Sequence, residues 1–436
     1  MTPGADSSPE PAGPTADVGR LVDHLFRREA GRLVAILARR LGPGSLHLAE
    51  DAVQDALARA METWPFNGIP ENPTAWLLQT ARNRAFDLLR RDRTSRTKQD
   101  QVALMLEGSG DDMSPVPSAQ FEDEVVDAQL RMMFVCCHPV LPPEAQIALI
   151  LKTLSGFSER EIAVALLTTE PAIAKRLVRA RATLREAAMD FELPPAPELA
   201  SRVTSVLHAL YLLFNEGYKA SHGDTLLRED LCAEAIRLGE LLVRQPLGDR
   251  PDAHALLALL HFHAARLPTR VADDGSLLVL ADQDRSAWDR REISRGVIHL
   301  GRAAEGRQLT RWHLEAAIAA CHVLPERYAD TDWPGILESY DALLELDRSP
   351  VIALNRAIAF AHVHGPAAAL DQLEVMADDR VLREYHLFHA ARGTLLAELG
   401  RTDEAAAAFQ RAMGYAPQAV ERDHLAARLA ALTQHR

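Results

Sequence analysis

Cysteine is scarce in this 436-residue chain, with four copies. Cys136, Cys137, Cys232 and Cys321 have neither CxxC spacing nor the density of a disulfide framework, which suits a reducing compartment. Cys136-Cys137-His138 invites a metal or redox reading, but neighbours on a helix point about 100° apart, and buried structural thiols fit the pattern better. Long apolar runs are missing too, so nothing is built to span a bilayer, and MTPGADSSPEPAGPTA at the start lacks the basic and hydrophobic segments of a signal peptide. A cytoplasmic protein with no membrane partner is expected. There is no phosphate-binding glycine loop, no nucleophile with a placed base and no metal-ligand spacing, so no enzyme activity, cofactor or metal is expected. Lysine is nearly absent, four against 44 arginines, which indicates a GC-rich genome and nothing about function.

The formal charge of −13 argues against a protein that coats nucleic acid indiscriminately. Positive charge is concentrated in islands. Between Ala81 and Lys98 stand seven cations (Arg82, Arg84, Arg90, Arg91, Arg93, Arg96, Lys98) against Asp87 and Asp92. The second island lies in Leu154 to Glu186. Ser158 with Glu161 three residues on is a capping box that starts a short helix. Ile162, Ala163 and Leu166 give that helix an apolar face, and Thr168-Thr169-Glu170-Pro171 then ends it and opens another. The second helix turns Ile173 and Leu177 toward the first and carries Lys175, Arg176, Arg179, Arg181 and Arg185 elsewhere. A helix-turn-helix reading head has this form, and so does a helical hairpin with a solvated basic face.

Upstream, helical periodicity from Val18 to Arg40 stops at Gly42-Pro43-Gly44. In the next helix Ala52, Val53, Ala56, Leu57 and Ala60 pack inward, while Glu50, Asp51, Gln54, Asp55 and Glu62 form an acidic, amide-bearing outer face. Trp64-Pro65 through Asn72-Pro73 reads as a loop. Thr74 to Arg91 is then a helix with Trp76, Leu77, Ala81, Ala85, Leu88 and Leu89 on one side and Arg82, Asn83, Arg84, Asp87, Arg90 and Arg91 on much of the rest. Aromatics interleaved with arginines can stack on unpaired bases and track their phosphates. Gln99 to Asp127, with Gly108, Gly110, Pro115, Pro117 and many carboxylates, reads as a linker.

Together these stretches resemble an extracytoplasmic-function (ECF) sigma factor, the bacterial subunit that gives core RNA polymerase its promoter choice. AEDAVQDALARA and NPTAWLLQTARNRAFDLLRR are similar to sigma region 2, and LPPEAQIALILKTLSGFSEREIAVALL followed by AIAKRLVRARATLRE is similar to region 4. The resemblance implies that Asp51, Gln54 and Asp55 dock on the clamp helices of the largest polymerase subunit. It implies that Trp76, Arg82, Asn83, Asp87, Arg90 and Arg91 capture and melt the minus-ten element of promoter DNA. Lys175, Arg176, Arg179 and Arg181 then fall on the helix that reads the minus-thirty-five element. The chain departs from the region 4 pattern at Leu167, where a glycine is common, and at Ala172 to Arg176, where hydroxyls are lost.

Sigma factors of this class usually stop near Asp190, and this chain continues for 246 residues. After Leu193-Pro194-Pro195-Ala196-Pro197 come continuous helical patterns. Gly393, Leu396, Ala405, Phe409, Ala412 and Pro417 have the spacing of a tetratricopeptide (TPR) repeat, and Ala357, Phe360, Ala369, Leu373 and Met376 occupy equivalent places 36 residues earlier. Ile336, Tyr340 and Leu343 suggest a further unit. The subgroup of sigma factors with a TPR-like extension carries similar stretches, here Tyr211 to Tyr218 and Arg311 to His322. Glu216 and Tyr218 could line a ligand or close a buried turn. Fourteen of 17 histidines lie beyond residue 200, and pairs two apart, such as His261 with His263 and His362 with His364, point away from each other, as interhelical packing residues do.

The fold expected is all-α: a region 2 helical bundle, a region 4 helix-turn-helix and a C-terminal TPR-like α-solenoid. The division is a disordered tail over 1–17, region 2 over 18–98, a flexible acidic linker over 99–127, region 4 over 128–192, and a helical extension over 198–436, with repeats clearest over 350–418. The function implied is binding of core RNA polymerase, recognition of both promoter elements and initiation of transcription, with activity modulated by the extension, on which a regulatory protein or ligand would act. The alternative is a stand-alone helix-turn-helix regulator with a helical-repeat sensor.

Overall fold

The computed structural model describes residues 29–42, 45–95, 128–166, 168–187, 196–218, 227–246, 248–272, 276 and 278–434. The expected tail, the acidic linker and Leu167 lie outside the described residues. The regular elements among the described residues are helical, as expected for the all-α class. Two compact units divide the chain, Met1–Leu247 and Gly248–Arg436.

In the first unit, α1 (29–41) buries Leu33, Val34, Ala35, Ile36, Leu37 and Ala38, and stops at Gly42, whose φ of 82° suits a residue without a Cβ. Apolar positions three and four apart explain α2 (Leu46–Asn67): Ala49, Ala52, Val53, Ala56, Leu57 and Ala60 form one buried face, packed on α3 (Pro73–Ser95). Asn72 Oδ1 accepts the Ala75 N–H at 3.0 Å, and Pro73, needing no donor, opens α3. The loop expected from Trp64-Pro65 starts later, because α2 runs on through Pro65 to Asn67. Trp64 is buried there against the edge of Trp76, 5.4 Å between ring centres, and that packing holds the last turn despite the proline.

Helices α4 (128–136), α5 (Pro143–Thr153), α6 (Glu159–Ala165) and α7 (Glu170–Glu186) follow. Cys136 and Cys137, at the end of α4, are buried free thiols, both pushed well above the usual range by burial. Next, α8 (Ala196–Tyr218) packs on both α5 and α9 (Glu229–Val243). Ala196 and Pro197, expected in a linker, belong to the first turn of α8. Glu216 is buried, and the neighbouring Gly217 carbonyl accepts the Arg228 N–H at 2.8 Å, so this stretch forms a packed structural turn. A Cβ at Gly217 would stand 2.7 Å from the Arg228 carbonyl oxygen, which explains the glycine.

The second unit opens with α10 (Pro251–Ala264), buried on nearly every side, and α11 (Arg290–Ala303), with α12 (Arg311–Val323) against α10. Then come α13 (Trp333–Leu346), α14 (Pro350–His364), α15 (Pro366–Val375), α16 (His386–Glu398), α17 (Thr402–Tyr415) and α18 (Ala419–Gln434), each packed on its neighbour. The repeat-spaced residues Ala357, Ala369, Leu373, Leu396, Ala405, Phe409 and Ala412 share one core. Gly393 lets the Phe409 ring approach, since an added Cβ would lie 3.0 Å from it.

The histidines of this unit meet across helices. His254 and His299 face each other through Nδ1 at 2.8 Å, with Asp249 2.7 Å from His254 Nε2, and His261 Nδ1 is 2.6 Å from Glu292. His362 stacks on Trp333 with ring centres 3.6 Å apart, whereas His364 packs on Phe360 of its own helix. Burial, helped by nearby arginines, pushes His263 down to about 3 and His322 down to about 4. An unfolded chain takes up these protons near pH 6.5, so the stability they give is present above that pH and lost as pH falls toward 4. The charged and titratable groups acting on His322 are Arg266, Arg285 and His362, and its buried Nδ1 has no hydrogen-bond partner among the described residues. His322→Phe should therefore flatten the acid limb of thermal stability by about 1–3 kcal/mol between pH 6.5 and 4.5. Calorimetric melting across that range is the check, and an unchanged limb refutes the assignment.

Candidate nucleic-acid interface

The turn before α6 is set by its capping box. Ser158 Oγ accepts the Glu161 N–H at 3.2 Å, and Glu161 Oε2 accepts the Ser158 N–H at 2.8 Å. Glu161 also ion-pairs with Arg228, at the foot of α9. Burial pushes this carboxyl up, but the Ser158 hydrogen bonds and Arg228 outweigh it and leave it below the usual range. Thr169 takes the N-cap position of α7 without a side-chain bond, and Pro171 sits in the first turn.

Ile162 and Ala163 of α6, with Ile173, Leu177, Ala180 and Leu184 of α7, are buried, so the two helices keep the faces expected of a helix-turn-helix. Lys175, Arg179 and Arg185 are exposed and Arg176 is half-buried. Cations on one exposed helix can bind phosphates and base edges in a major groove. Arg181 is engaged elsewhere: its Nη2 lies 2.5 Å from Glu50 Oε2 of α2.

On α2, Asp51, Gln54 and Asp55 are exposed together on one side. Glu50, expected on that outer face, is instead turned to α5 and α7, where Thr153 Oγ1 also donates to its Oε1 at 2.8 Å. The hydroxyl and the guanidinium on that side give the carboxylate partners that solvent would otherwise supply. Beside it, Gly31 of α1 approaches the Leu154 carbonyl so closely that a Cβ would stand 2.0 Å from the oxygen, so α1 packs directly on the end of α5. Ala30, Val34, Glu50, Val53, Gln54, Lys152, Thr153 and Gly156 line a small crevice here.

Asn83, Asp87 and Arg90 of α3 are exposed, and Trp76 and Arg82 are half-buried. Arg91 is in the same helix. Gln79 Nε2 donates to Asn83 Oδ1 at 3.3 Å, and Arg84 ion-pairs with Asp55. The polar side of α3 could offer amide, guanidinium and aromatic edges to an opened strand. Thr153 and Arg228 are the engaged residues that sequence periodicity did not single out, while Glu50 and Arg84, named for their helix faces, have their partners from elements distant in sequence.

No helix among the described residues is long and apolar enough to cross a membrane. Residues 25–95 match Sigma-70 region 2, and residues 131–184 match Sigma-70, region 4. Residues 202–304 match DUF6596, a family of unknown function. An uncharacterised protein of Rhizobium meliloti (strain 1021) is 39% identical over 399 residues, 89% of this chain and 93% of the relative. The probable RNA polymerase sigma factor RfaY of Xanthomonas campestris pv. campestris is 33% identical over 138 residues, covering 31% of this chain and 33% of the relative. The ECF RNA polymerase sigma factor SigE of Mycolicibacterium smegmatis is 29% identical over 166 residues, 38% and 60% of the two chains. No solved structure matches.

Proposed function

Because this chain belongs to the ECF-like sigma factors, the family that its region 2 and region 4 domains show, we propose that it binds core RNA polymerase and directs it to promoters. Asp51, Gln54 and Asp55 dock on the clamp helices; Trp76, Arg82, Asn83, Asp87, Arg90 and Arg91 take the minus-ten element; Lys175, Arg176, Arg179 and Arg181 read the minus-thirty-five element. The extension modulates this activity.

The observation that carries the reading is the presence, in one chain, of an exposed acidic-amide face on α2, a polar arginine-bearing face on α3 and a basic helix, α7, packed behind the capped helix α6. A stand-alone regulator leaves α3 without work to do. Opening a strand costs a few kcal/mol of lost stacking, and contacts that exist only with the opened strand repay it.

Co-elution of the whole chain with purified core polymerase tests the first half; a competent core that fails to bind refutes it. For the second half, Arg176→Ala/Arg179→Ala should keep core binding and lose promoter-directed transcription by roughly thirtyfold or more, from about 1–3 kcal/mol for each of two contacts. Run-off transcription on fragments enriched by the holoenzyme reads this, and undiminished transcription would remove α7 from promoter reading.

A further inference from the structure

The outer face of α11 is a basic surface that nothing in the two sigma domains accounts for. Arg291, Arg295, Ile298 and Arg302 recur at helical spacing along one stripe, with Arg290 and Val297 beside it, and the arginines are exposed. From Arg291 to Arg302 the stripe is about 17 Å long. Between the arginines lie Ser294 and Gly301, which leave the backbone open, and the exposed carboxylates stand at the two ends, Asp289 beside Arg290 and Asp249 with Glu305 beside Arg302. Glu292 is shared between His261 at 2.6 Å and Arg295 at 3.2 Å, so it offsets part of the charge of Arg295, whose side chain is still 59% exposed. No carboxylate among the described residues ion-pairs with Arg290, Arg291 or Arg302. Other arginines of the same unit are consumed internally: Arg327 by Asp330, Arg392 by Glu374, Arg401 by Glu404. Arg290, Arg291 and Arg302, without an ion-paired carboxylate along one rod and joined by the exposed Arg295, are placed within an acidic chain for an anionic partner of linear shape.

We propose that this face of α11 binds the phosphate backbone of duplex DNA, as a second contact separate from regions 2 and 4. A guanidinium takes a phosphate through two parallel N–H bonds, and duplex DNA presents about one charge per 1.7 Å of its axis, so a stripe of this length meets several. Val297 and Ile298, 45% and 60% exposed, are two aliphatic side chains that suit sugar edges. The surface has no aromatic anchor, the feature in which protein–protein interfaces are enriched, which favours nucleic acid over an acidic polypeptide. This contact carries no sequence information and tethers whichever DNA the chain engages.

The test compares the full chain with the Arg291→Ala/Arg295→Ala/Arg302→Ala variant on a fluorescent random-sequence duplex of about 30 base pairs across a salt series. Exposed arginine-to-alanine changes keep helix propensity, and circular dichroism verifies the fold. The expected result is binding weaker by roughly tenfold or more at moderate salt and a plot of log K against log salt shallower by about two to three, with the slope restored in the triple lysine variant. An unchanged slope overturns the proposal, as does polyglutamate binding that the triple variant loses while its DNA slope stays that of the parent. Arg176→Ala/Arg179→Ala in the same series reports region 4 separately, so failure of one reading is distinguishable from failure of the other.

Discussion

Ending the chain after Pro195 is expected to unfold region 4, whereas ending it after Leu247 keeps region 4 folded. The cause lies in α8 and α9. Val203, Val206, Leu207, Leu210, Leu213 and Phe214 of α8 are buried, and α8 packs on both α5 and α9. Each such side chain contributes about 1.5–3 kcal/mol when removed from water, against a total domain stability of about 5–15 kcal/mol. Polar ties add to this. Arg202 Nη1 donates to the Phe134 carbonyl at 3.1 Å, Arg237 Nη2 donates to Gln129 Oε1 at 3.1 Å, and Arg228 pairs with the capping-box Glu161. Residues 1–195 should therefore show no cooperative melt and should aggregate, while residues 1–247 melt as a unit. Thermal and urea unfolding by circular dichroism decides it, and a cooperative 1–195 fragment with an unchanged midpoint would refute it. The consequence for function is direct: loss of transcription on cutting at Pro195 reports a broken core, so control by the extension is measured with the cut at Leu247.

Much of this was legible in the residues. Ser158 and Glu161 gave the helix start because a capping box is local, satisfied within four residues. Ile173 and Leu177 gave the buried face of α7 because helical period fixes which side chains point together. Trp64-Pro65 misled because proline lowers the odds of helix locally, while the burial of Trp64 against Trp76 is set by a contact twelve positions away. Glu50 misled for the same kind of reason. Periodicity told that it faced away from the core of region 2, and Thr153 and Arg181, more than a hundred residues on, stand on that side. Leu193 to Pro197 marks a break in sequence pattern and says nothing of where the next helix packs, and α8 packs on α5. Arg228, paired to the reading head from α9, had no local signal at all.

Glu50→Gln is expected to shift the chain toward promoter binding. In this structure Glu50 and Arg181 join regions 2 and 4 through a pair with side chains 12% and 20% exposed, above the buried Cys136 thiol. The two promoter elements, by their positions, lie about 25 base pairs or ~85 Å apart along the duplex. Modules in side-chain contact do not span that distance. The 32 residues from Arg96 to Asp127 reach at most about 110 Å, enough to let the modules part. The proposed reaction on DNA thus begins with loss of the Glu50–Arg181 pair, which also frees a cation for the minus-thirty-five element. Removing the Glu50 charge leaves the amide able to accept from Thr153 but weakens the hold on Arg181, a loss of about 1–3 kcal/mol for a mostly buried pair. The closed-to-open ratio falls by roughly five- to hundredfold, and apparent promoter affinity of the holoenzyme rises toward the same factor where the closed form dominates. Arg181→Ala opens the modules equally but removes the freed cation, so it should gain less. Energy transfer between labels at Arg59 and Arg185 reads the opening, and promoter anisotropy reads the affinity. If Glu50→Gln leaves both unchanged, or weakens promoter binding while core binding is intact, the pair is a structural tie and not a latch.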